Sequence, residues 1–147
     1  MHTTNRKLFL VATALIETPL GLCLLFLPAL PFALLLGLEP AAVETLFVGR
    51  VAGAALLAIG VASWMARADP LAPAQFGLLT GLLIYDAIAA VLLVFAGSVL
   101  NMSGVLLWPA VALHAILAAW CLTCLRPDGF VRNSRGEGVD HATPKRN

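Results

Sequence analysis

Four stretches of the chain, residues 8–27, 43–66, 76–96 and 105–125, are almost wholly apolar. Each is close to the roughly 20 residues that cross a hydrocarbon core of about 30 Å at about 1.5 Å per residue. They are rich in Leu, Ala, Val and Gly and lack sustained period-2 alternation, which excludes a β-barrel. The expected fold is all-α: an antiparallel four-helix transmembrane bundle. Composition agrees, because 12% charged residues among 147 is half of the roughly 25% that keeps a soluble surface wetted. With 61% apolar residues and a mean hydropathy of +0.94, much of the surface must face lipid.

The breaks between the stretches have local causes. Pro28 and Pro31 stop the first helix, and the apolar piece 32–38 that follows is too short to cross again. It is expected to lie at the interface or to form a shallow re-entrant turn before Glu39 and Pro40. Asp69-Pro70 and Pro73 end the second helix, and Gly97-Ser98 with 101–104 separates the third from the fourth. Pro109 falls in the first turns of helix four, where a missing N–H costs little. The expected organisation is a cytoplasmic N-terminus over 1–7, a membrane domain over 8–125 and a disordered cytoplasmic tail over 126–147. Arg6 and Lys7 before an apolar run invite a signal-peptide reading. Glu17 interrupts that run and no small-x-small cleavage site closes it, so the segment reads as a retained helix.

Positive charge sets the expected orientation. With both ends inside, the cytoplasmic side holds Arg6, Lys7, Arg67, Arg126, Arg132, Arg135, Lys145 and Arg146, and the opposite loops hold no Lys or Arg. The positive-inside rule then gives an N-in, C-in protein of the bacterial inner (plasma) membrane. The absence of a dense basic face with interleaved aromatics speaks against a nucleic-acid partner.

Ionisable groups in hydrocarbon are costly, about 2.5–3.5 kcal/mol each even on insertion scales. Each stretch carries one near mid-depth. Glu17 lies roughly 14 Å from the cytoplasmic end, Asp86 roughly 16 Å, and Arg50 and His114 roughly 10 and 14 Å from the other face. All four are expected to meet in one polar layer. Arg50 keeps its proton and needs an anion, and Glu17 is the first choice because the two helices are consecutive. The remaining carboxylate would lie beside His114, protonated, paired with it, or shared across the guanidinium. Tyr85 and Thr80 offer hydroxyls on the same helix as Asp86. Polar residues in membrane bundles also serve as interhelical glue worth about 0.6 kcal/mol each, and that plainer role stands beside a ligand or proton role.

Gly49-x-x-x-Gly53 with Gly60, and Gly77-x-x-x-Gly81, are expected to pack helices closely, with dimerisation a lesser alternative. Cys121-x-x-Cys124 has dithiol spacing, but it lies mid-helix, where no N-terminal dipole favours a thiolate, and faces a reducing compartment. Two thiols with a distant His114 make no preformed metal site. Trp64, Trp108 and Trp120 near helix ends read as interfacial anchors. No nucleotide loop, nucleophile elbow or metalloprotease motif is present.

Gly49-Arg50-Val51-Ala52-Gly53 through Trp64, Leu83-Ile84-Tyr85-Asp86, and Leu107-Trp108-Pro109 through His114 to Trp120-Cys121 together resemble small bacterial four-helix membrane proteins of the DoxX-like superfamily. The resemblance spans about residues 5–125. It implies a four-helix bundle with a polar interior, accessory to quinone or thiol redox systems, and carries over only the pair Gly49 and Arg50. The expected function is a non-catalytic bundle that binds a small, partly apolar ligand, a quinone or lipid-like molecule, through the Arg50 layer. It would serve as an accessory subunit of a membrane redox assembly or work as a homo-oligomer. The alternatives are a proton-coupled transporter or conductance with Glu17, Asp86 and His114 as relay, a membrane enzyme using those groups as acid and base, and a purely structural partner.

Overall fold

A computed structural model describes residues 2–38, 42–68 and 73–125. The expected disorder of the tail over 126–147 and the turn at Asp69-Pro70 lie outside the described residues. The described chain is all-helical: α1 His2–Phe26, α2 Ala29–Leu36, α3 Val43–Ala66, α4 Pro73–Ser98 and α5 Leu107–Leu125. Four of the five, all but α2, are long and apolar enough to cross a membrane. Their outward faces are covered with exposed Leu, Ile, Val and Phe, as lipid contact requires.

The ends of the helices follow local chemistry. α1 starts six residues before the apolar stretch because Thr3 to Lys7 tolerate helix and its polar end can stay wet. It also runs through Pro19, which removes the bond from position 19 to the Leu15 carbonyl. α4 starts at Pro73, at the helix position where a fixed φ costs nothing. α2 realises the short apolar piece as a two-turn helix. It ends where Gly37, at φ 69°, donates its N–H to the Ala33 carbonyl at 3.0 Å. α2 then docks on the chain entering α5, with the Leu106 N–H donating to the Leu34 carbonyl at 2.9 Å. Gly104 presses directly on the Leu34 and Leu35 backbone there, leaving no space for a side chain.

Small residues let α1 and α3 touch backbone to backbone. A Cβ on Gly21 would fall 2.6 Å from the Leu57 nitrogen, and one on Gly53 would fall 2.7 Å from the Gly21 oxygen. Gly60 meets Thr18, and Gly49 meets Phe32 and Pro28. Numbers rise along one helix as they fall along the other, so the two run in opposite directions. Gly77 and Gly81 behave differently from expectation: nothing lies within 4 Å of where their Cβ atoms would be. They are exposed on α4, and their spacing serves no packing among the described residues.

A core of Phe9, Leu10, Leu79, Leu82, Leu117, Cys121 and Cys124 joins α1, α4 and α5 at the end where α1 begins. A polar strap closes that end. Asn5 accepts from the Trp120 indole at 2.8 Å and donates toward the Cys124 sulfur at 3.5 Å, and the Arg6 Nε donates to the Cys124 carbonyl at 2.8 Å. A cation on the last carbonyls of α5 also complements its dipole. Trp120, expected to anchor at the interface, is thereby turned inward, edge-on to Phe9 at 5.5 Å. Trp64 and Trp108 are exposed near helix ends, and Arg67 stacks on Trp64 at 3.5 Å.

Candidate functional site

Three of the four ionisable residues expected in a layer come together. Glu17 and Asp86 are each 1% exposed and His114 is 8% exposed. They sit on α1, α4 and α5, nine or more residues from the ends of the described helices in α1 and α4 and seven from the start of α5. The His114 Nδ1 lies 2.8 Å from the Asp86 Oδ1. Which group holds the shared proton is set by tautomer and charge, but in either form the pair is directly bonded. Tyr85 packs edge-on to the His114 ring, centroids 5.6 Å apart at 84°, and its hydroxyl lies beside the Glu17 carboxyl. The Glu17 Oε2 and the Asp86 Oδ2 are buried with no hydrogen-bond partner.

Arg50 is the correction. It is exposed, beside Phe26, Leu27 and Pro28 at the far end of α1, and makes neither a hydrogen bond nor an ion pair with Glu17 or Asp86. The physical reason is register. Counting depths from the apolar boundaries assumes that Val43 is level with the end of the first stretch. The glycine contacts instead place Gly49 beside Pro28 and Gly60 beside Thr18. Arg50 therefore lies about ten residues, roughly 15 Å, along α3 from the level of Glu17. Asp86 bonds the histidine, one of the arrangements expected for the carboxylate not given to Arg50, and with the guanidinium elsewhere Glu17 is the carboxyl left over. Thr80 does not join the cluster, because its hydroxyl donates to the Phe76 carbonyl of its own helix at 2.9 Å.

The cluster forms the polar end of a cavity of about 550 Å³. Glu17, Tyr85 and His114 line one part of it, and the remaining walls are apolar side chains of α1, α2, α4 and α5, with Leu56 from α3. α2 closes one side through Leu30, Pro31, Leu34 and Leu35. A cavity of this size holds a drug-sized or lipid-like molecule, and the placement of polar groups at one end fixes how such a molecule would lie.

Sequence reasoning missed the cavity and the contribution of α2 to it. A hint lay in the Pro28 and Pro31 pair, which folds the apolar piece back over the bundle instead of letting it leave. It also missed the buried Thr13, Ser63 and Gln75. Gln75 donates to the Ala66 carbonyl at 2.9 Å and so closes the last turn of α3, while Thr13 and Ser63 hydroxyls have no partner.

Cys121 and Cys124 are both free thiols in the core. The Cys121 thiol donates to the Leu79 carbonyl at 3.1 Å. Cys23, by contrast, lines the cavity. Among the described residues no group of three or more His, Cys, Asp and Glu side chains is arranged to hold a metal ion.

The fold and site thus define an all-helical protein with four helices fit to cross a membrane and a polar cluster facing an apolar cavity. No family model, no curated protein and no solved structure matches the chain.

Proposed function

We propose that the chain is a multi-pass protein of the bacterial plasma membrane, an antiparallel four-helix bundle with both ends in the cytoplasm, that binds a long apolar molecule with a polar head. The single observation that carries the reading is the cavity of about 550 Å³, apolar along its walls and polar only where Glu17, Tyr85 and His114 meet. Of the buried side chains with an unpartnered polar atom among the described residues, Glu17 is one that also lines the cavity. A quinone or lipid-like ligand fits such a cavity, and an accessory role in a membrane redox assembly and a place near the DoxX-like superfamily are parts of the same proposal. Orientation rests on the eight-to-zero split of basic residues among the loops and termini, with Arg50 inside α3 left out of the count.

The test is native mass spectrometry of the protein gently extracted from its own membrane, with bound molecules identified. A stoichiometric amphiphile that disappears when Ala89→Trp fills the cavity is the expected result. A clean unliganded mass from the native chain would sink the reading. Arg50→Leu is expected to leave occupancy unchanged, because Arg50 lies outside the cavity.

A second reading, a proton relay, is favoured by one observation: the bonded Asp86 and His114 pair lies next to Tyr85 and Glu17, giving a chain of exchangeable protons across three helices. Proteoliposomes with an imposed pH gradient would then acidify or alkalise in a manner abolished by His114→Leu. Native protein that moves no protons at any potential disposes of that alternative.

A further inference from the structure

Resting on the reading of the cavity as a ligand site, we propose that its ligand is an amphiphile whose head donates hydrogen bonds and bears no negative charge, with a protonated amine the best match. Three observations support this head-group chemistry. First, the polar end contains two carboxyl groups and one imidazole. Arg50, which would have balanced the second carboxyl, stands outside the layer beside Phe26 and Leu27. At full ionisation the cluster thus carries one uncompensated negative charge on buried groups, where screening is weak.

Second, the imidazole is already engaged. The His114 Nδ1 is committed to the Asp86 Oδ1 at 2.8 Å, which leaves only Nε2 for a head group, and with Nδ1 holding the proton of a neutral ring Nε2 accepts from a donor head. Third, Glu17 is a residue of the cavity lining, and its carboxyl oxygen Oε2 is buried without a hydrogen-bond partner among the described residues, on a side chain only 1% exposed. An ionised carboxyl accepts hydrogen bonds and donates none. A head group with N–H or O–H donors satisfies that oxygen and, if cationic, also offsets its charge. A phosphate or carboxylate head would add negative charge to an end that holds two carboxyl groups and no guanidinium, which costs more the drier the site. The apolar tail would lie along Leu92, Leu93 and Leu113 toward α2. Between quinol and quinone forms of one ring, the same logic favours the quinol, whose hydroxyls donate.

The experiment compares three probes of equal tail length, hexadecylamine, hexadecanol and palmitate, titrated against the full-length protein in nanodiscs of neutral lipid. Empty nanodiscs and the Ala89→Trp variant measure partitioning into lipid alone. The expected order is amine, alcohol, palmitate, with the amine about tenfold tighter than the alcohol, a gap typical of one added charge-assisted hydrogen bond. Glu17→Gln should bring the amine down to the level of the alcohol. If that variant does not fold, the ranking on the native chain decides the matter by itself. Equal binding of all three, or palmitate equal to or tighter than the amine, overturns the head-group assignment while leaving the cavity as a binding site. Binding no greater than to empty nanodiscs, or unchanged by Ala89→Trp, overturns both.

Discussion

At the scale of single residues, what matters is which polar groups have partners and which do not. Asp86 and His114 hold each other inside the protein, and removing one strands the other. His114→Leu is expected to cost about 3–5 kcal/mol if Asp86 stays charged. The double substitution Asp86→Leu with His114→Leu should cost less than the sum of the singles, because no orphaned group remains. Reversible unfolding in mixed micelles measures the cycle. Strict additivity would mean that the 2.8 Å contact contributes nothing to stability. Arg50→Leu should shift stability by no more than about 0.5 kcal/mol, as befits an exposed side chain without a bonded partner. Sequence identified Glu17, Asp86 and His114 as a group because their depths agree on helical rise alone. It wrongly added Arg50 to them and gave it Glu17, because rise says nothing about the offset of one helix against its neighbour.

At the scale of helices, glycine position separates packing from coincidence. Gly53 and Gly81 belong to the same kind of small-x-x-x-small pattern, yet only Gly53 touches a neighbour. Gly53→Leu is therefore expected to separate α1 from α3 and to cost at least about 1–3 kcal/mol. Gly81→Leu should cost nothing and, by restoring helix propensity, gain up to about 1 kcal/mol. Denaturation of the two variants in one detergent settles it, and equal losses would refute the assigned interface. Gly104→Ala belongs with Gly53→Leu, since the Leu34 and Leu35 backbone occupies the space a methyl would need. Its loss should also loosen α2 over the cavity and weaken ligand binding. Nothing local distinguishes these glycines, because each is simply a glycine in an apolar run. Only the partner helix assigns the role.

At the scale of the whole molecule, sidedness and cavity are the testable properties. With native cysteines replaced, Ser103→Cys is expected to react with a membrane-impermeant thiol reagent from the outside of intact cells, and Ala68→Cys only after the membrane is opened. The reverse pattern would invert the proposed orientation. Both positions are exposed, so access is decided by side and not by burial.

The sequence by itself determined that the chain is helical, that four of its helices are long and apolar enough to cross a membrane, and that Glu17, Asp86 and His114 lie inside at one level. These follow from hydropathy over about 20 residues and from proline and glycine, which act on the nearest turn or two. Even α3 has the bounds its composition suggests, Val43–Ala66. Tertiary structure alone decided that Arg50 stands apart, that Glu17 keeps an unpartnered oxygen, and that α2 folds back to wall a cavity. Each of these depends on the axial offset between neighbouring helices. That offset is fixed by backbone contacts at Gly21, Gly53, Gly60 and Gly104, whose partners lie dozens of residues away along the chain.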